Sequence, residues 1–189
     1  MKKSLLFIMV IAATAAITSC SAEHKWGEKE RKELRQELRA YRDMAYLDNL
    51  AEIEFDTFSG DVVEAIEIDY PVYTTFVELP GRGDTVEVYV VSTIVERLNA
   101  NPHNMRNIYP YPYLVAEGIL PDGLNHQAQR AFYDCLSHKV RRYYPSTEAF
   151  FDAIINSDTT PQAIVDMQTS CAADLFDWGI EIDETIIVD

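Results

Sequence analysis

The sequence is short of positive charge, of cysteine and of any long apolar run. Its 189 residues carry 16 Lys and Arg against 31 Asp and Glu, a formal net charge of −15. So acidic a surface repels phosphate backbones, which excludes nucleic acid as a partner. The apolar run near the N-terminus, Leu5 to Ala13, falls well below the roughly 18 to 20 residues that span a bilayer, and no permanent transmembrane helix is expected. Three cysteines and four histidines lack the paired short spacings of zinc motifs, so Cys135, His138 and His126 do not make a metal site. There is no glycine-rich phosphate loop, metalloprotease helix or nucleophile elbow. Nor does any acidic window, including Asp177, Glu181, Asp183 and Glu184, place oxygen ligands on alternate positions around a glycine as a calcium loop does. No cofactor is expected, and no internal repeat stands out.

What is present begins with three zones in order. Lys2 and Lys3 supply a charged start, Leu5 to Ala13 an apolar stretch, and small residues lead to Cys20. That is the build of a secretory signal. Its end, Ile17-Thr18-Ser19-Cys20, resembles the lipobox of bacterial lipoproteins, and the resemblance covers residues 1–20 only. It implies cleavage before Cys20 and lipid on that cysteine. Two or three acyl chains, each buried CH₂ contributing about 0.8 kcal/mol, then anchor the chain to a membrane. Ser21, in the position where an aspartate is absent, resembles outer-membrane lipoproteins, with the periplasmic or surface face left open. The expected organisation is a signal over 1–19, a lipidated tether over 20–27 and a single acidic domain over 28–189.

Without residues 1–19 the chain has 14 basic and 31 acidic side chains, a net of −17. The charge is unevenly placed. Residues 25–42 are net +3, and residues 43–189 are net −19. The basic segment either faces anionic headgroups near the anchor or pairs with the stretch Asp48 to Glu78, which contains no Lys or Arg.

The periodicities predict an α+β fold: an N-terminal helix, an antiparallel sheet meander and a helical C-terminal half. Leu34, Leu38, Tyr41 and Ala45 form one face of a helix from Glu28 to about Leu47. Ile66, Ile68 and Tyr70, then Val86, Val88 and Val90, alternate as strands with one wet face do, and between them Val72 to Leu79 is rich in the β-branched and aromatic residues of a strand. Pro80-Gly81-Arg82-Gly83-Asp84 reads as the hairpin turn between strands, and its Arg-Gly-Asp as backbone-driven turn chemistry rather than an adhesive tip. Pro102, Pro110, Pro112 and Pro121 make the stretch from Asn101 to Asn125 an ordered loop. Helices are expected over about Gln127–Arg142, Thr147–Asn156 and Pro161–Phe176, and a last strand over Ile180–Val188.

Cys135 and Cys171 each fall on the apolar side of a predicted helix. A disulfide between them is the leading expectation, with two buried thiols as the alternative. A cysteine nucleophile at Cys135, with His138 three residues on, lacks an orienting group outside the same helix. Tyr109, Tyr111 and Tyr113 either form an aromatic platform for a sugar or peptide, or pack over a core edge. Together these readings favour a membrane-anchored envelope lipoprotein that binds another envelope protein or supports an assembly, without catalysis. The alternatives are an immunity or inhibitor lipoprotein against a basic toxin, and a hydrolase using Cys135 and His138.

Overall fold

Residues 23–179 are described by the structure, a computed structural model. Cys20, the signal before it and the strand expected after Ile180 lie outside the described residues. Among the described residues the fold is all-helical, not α+β: there is no sheet, only an isolated antiparallel bridge between Lys25 and Val72. The helices are α1 (Glu28–Glu37), α2 (Glu52–Asp69), α3 (Tyr73–Val77), α4 (Arg82–Ala100), α5 (Tyr111–Ala116), α6 (His126–Tyr143), α7 (Thr147–Ile155) and α8 (Gln162–Phe176). Two 3₁₀ segments, Leu38–Tyr41 and Pro102–Asn107, complete the order.

The segments expected as strands are helix, and Val72 to Leu79, also expected extended, contains α3. Along α2 the buried residues are Phe55, Phe58, Ser59, Val62, Val63 and Ile66, spaced by three and one in alternation. Along α4 they are Val86, Val90, Thr93, Ile94, Val95 and Leu98. These are helical faces. The members that made the pattern look two-periodic, Ile68 and Val88, are 71% and 62% exposed. The supposed hairpin turn is the start of α4. Gly81 takes φ of 72°, a left-handed conformation that costs a side-chain-bearing residue about 1–2 kcal/mol. The Arg82 guanidinium sits over the Phe76 ring and donates to Glu37, so Arg-Gly-Asp is a helical first turn.

Local chemistry sets the other helix ends. Glu30 accepts from the Gly27 amide and Glu54 from the Ala51 amide, each satisfying a donor that the first turn leaves free. Asn125 and Ser146 cap α6 and α7 with their side-chain oxygens. The prolines of the aromatic stretch do not prevent regular structure there. Pro102 and Pro112 fall in the first turns of the second 3₁₀ segment and of α5, where no backbone donor is needed.

α1 packs on α2 and α2 on α4; α4 in turn meets α7 and the 102–107 segment, which also lies against α6. α6 and α8 form the most intimate pair. One continuous core runs through this chain of contacts, from Trp26, Phe55 and Phe58 to Phe132, Phe150, Phe151 and Ile164. Burying each such side chain stabilises by roughly 1.5–3 kcal/mol. The arginines of the basic segment turn inward on the acidic one: Arg31 grips Glu67 through two 2.7 Å bonds, and Arg39 lies 3.2 Å from Glu52 and 3.7 Å from Asp56.

Candidate functional site

A cavity of about 740 Å³ opens in the C-terminal half. Five segments line it: the turn at Ala45–Asn49, the aromatic stretch from Ile108 through Tyr113 to Ile119, the end of α7 at Ile154, the loop from Ser157 to Pro161, and the first turns of α8. Its size falls within the range of pockets that hold small ligands or peptide side chains.

The deepest polar group is Gln168. It is wholly buried, and neither its amide oxygen nor its amide nitrogen has a hydrogen-bond partner. A buried amide in that state is costly, about 1–3 kcal/mol for each group left unsatisfied, and native proteins seldom keep one without a reason. The nearly buried Tyr109 presents a second unpartnered group, its hydroxyl. Burial pushes that phenol well above its usual range, so it stays neutral; a contact with Thr160 opposes the shift weakly without the geometry of a hydrogen bond. Around these two polar groups stand Ile108, Ile119, Ile154 and Val165.

The rim differs from the floor. Asp48, Glu117 and Asp158 line it and all three are exposed, and no Lys, Arg or His lines the cavity. Although Asp48 reaches solvent, atoms crowded around its carboxyl raise its pKa, and hydrogen bonding at Asn49 only partly offsets this. The Asn49 amide donates to Asp48 Oδ1 at 2.7 Å and to the Asn107 carbonyl at 3.0 Å, tying the turn to the aromatic stretch.

Each wall is held from behind. Tyr111 points away from the cavity, donating to the Pro121 carbonyl at 2.8 Å and accepting from the Leu124 amide at 2.9 Å. Tyr133 donates to the Tyr109 carbonyl at 2.8 Å. α8 is joined to α6 by the Cys135–Cys171 disulfide, with Cα atoms 5.9 Å apart, and Lys139 of α6 donates to Ser170 and Asp174 of α8. Gln168 lies one helical turn before Cys171, so the bond holds the amide's own helix in place.

The chain matches no protein-family model, no curated protein and no solved structure.

The structure scatters some of the candidates from the sequence and gathers others. Cys20 lies outside the described residues. The Cys135 sulfur is bonded to Cys171, and His138 stands exposed on α6, away from the cavity lining. Asp134 lies 3.6 Å from the His103 ring, so it is engaged away from His138. Among the described residues no group of three His, Cys, Asp or Glu is placed to hold a metal ion. Of the three tyrosines, Tyr109 and Tyr113 line the cavity and Tyr111 braces it. Gln168, Asp48 and the 157–161 loop were not singled out in the sequence. A signal existed for the first: Gln168 interrupts the apolar row Ile164, Cys171 and Ala172, all of them buried on α8.

Proposed function

We propose that the chain is a lipid-anchored bacterial envelope lipoprotein, non-catalytic, whose folded part binds another protein. The observation that carries the anchor is Ile17-Thr18-Ser19-Cys20 closing a signal that begins with Lys2 and Lys3. Ser21 favours the outer membrane. The binding role is supported by the acidic excess beyond residue 43 and by a formed cavity lined by an amide, a neutral phenol, carboxylates and hydroxyls, in which Ser157 donates to the Ala153 carbonyl rather than to a carboxylate. An immunity or inhibitor role against a basic toxin is the second reading, favoured by the acidic rim.

The anchor is tested by feeding labelled palmitate to cells expressing the chain and its Cys20→Ser variant. Label is expected on the first alone, with the variant keeping its signal because cleavage follows lipidation. Label on both, or a Cys20→Ser protein cut to the same length as the parent, contradicts the reading.

A further inference from the structure

The cavity floor and rim ask for different things of one ligand. At the floor, Gln168 offers two N–H donors and a carbonyl acceptor, all unpartnered and fully buried. That set complements the N–H and C=O of one residue in an extended backbone, a donor and an acceptor that point to the same side. The flanking Ile108, Ile119, Ile154 and Val165 suit aliphatic side chains, and the Tyr109 hydroxyl adds one further polar contact. At the rim, Asp48, Glu117 and Asp158 present three carboxylates with no basic residue in the lining to neutralise them. An anionic ligand is repelled there and a cationic one is drawn in.

We infer that this cavity is a docking site for an extended, apolar and basic peptide segment of a partner protein. The N–H and C=O of one residue of the segment pair with Gln168, its aliphatic side chains fill the floor, and its Lys or Arg side chains meet the three rim carboxylates. This deepens the protein-binding reading above and rests on it. Residues 180–189 carry four carboxylates and no basic side chain, so the same charge argument opposes the chain's own C-terminal residues as the occupant. The cleft of about 850 Å³ between α1 and α2 is a weaker candidate, because Arg31 and Glu67 on its walls already satisfy each other.

Calorimetric titration of the full-length chain in detergent provides the test, with three probes: a blocked hexapeptide alternating Lys and Leu, its counterpart with Glu in place of Lys, and chitotriose. Binding of the Lys/Leu peptide alone is expected, weakening as salt is raised from about 50 to 500 mM. Gln168→Leu is expected to reduce that affinity at least about tenfold. Its unfolding midpoint should hold or rise, because an apolar group of similar size replaces unsatisfied polar atoms. The triple variant D48N/E117Q/D158N should bind weakly and lose the salt dependence. A purely structural Gln168 predicts the reverse, lower stability with unchanged binding, and that result overturns the assignment. So does binding of the Glu/Leu peptide or of chitotriose in its place, or no binding by any probe. Should an envelope protein co-purify equally with the chain and with Gln168→Leu, the cavity assignment fails while the protein-binding role stands.

Discussion

Tyr109 and Tyr133 are both nearly buried, and burial is the main cause holding each phenol far above its ordinary pKa of 10.0. Between the ordinary value and the raised one, the unfolded chain has lost protons that the folded chain keeps. The stabilisation from these groups is therefore complete below about pH 10 and is lost as pH rises beyond it. Urea midpoints should be level from about pH 7 to 9 and fall above 10, while absorbance near 295 nm shows part of the eleven tyrosines ionising only with unfolding. A single titration of all eleven near pH 10 with the fold intact would contradict the burial described. At the same scale, the tyrosines stood out in the sequence with two readings, a platform or a core edge; Tyr109 is buried and Tyr111 is bonded to Pro121, while Tyr113 is exposed at the cavity. The polar half of the candidate site was hidden, since a lone glutamine on an apolar face says nothing until the residues facing it are known.

Within single elements, α2 and α4 show why periodicity misled. A five-residue window over Val86 to Val90 satisfies a period of two as well as a spacing of four, and β-branched side chains tilt the choice toward strand. Only a longer window, reaching Ile94 and Leu98, separates the two. The segments with wide apolar stripes were readable at once: α6, α7 and α8 lie within one residue of their expected spans, the first two with side-chain caps at Asn125 and Ser146. Substitution decides the matter experimentally. On a strand, positions 88 and 90 share a face and respond alike; on α4, Val90 is fully buried and Val88 is 62% exposed. Val90→Asp should cost about 3 kcal/mol or more, since it buries an unpaired charge. Val88→Asp should stay within about 1 kcal/mol, mostly helix propensity. Urea denaturation of the two variants side by side measures the difference.

For the molecule as a whole, charge and connectivity matter more than any one element. Arg31 and Arg39 of the N-terminal basic segment pair with Glu67, Glu52 and Asp56, and Arg82, Arg97, Arg106 and Lys139 pair with Glu37, Asp61, Glu54 and Asp174, so much of the basic charge is already engaged within the fold. Net charge was legible from composition, but its internal pairing depended on helices that the sequence disguised as strands. The Cys135–Cys171 bond has a further consequence. It closes residues 135–171 into a covalent ring that contains all of α7 and the cavity loop, whose residues Asn156 to Thr159 are exposed. A protease cutting at that loop produces a nick but releases no fragment. On gels the cut chain should run as one species until reductant is added and as two thereafter; two pieces without reductant would show the ring to be open. A protein built this way can be cleaved at that exposed loop and still keep both sides of its cavity on one molecule.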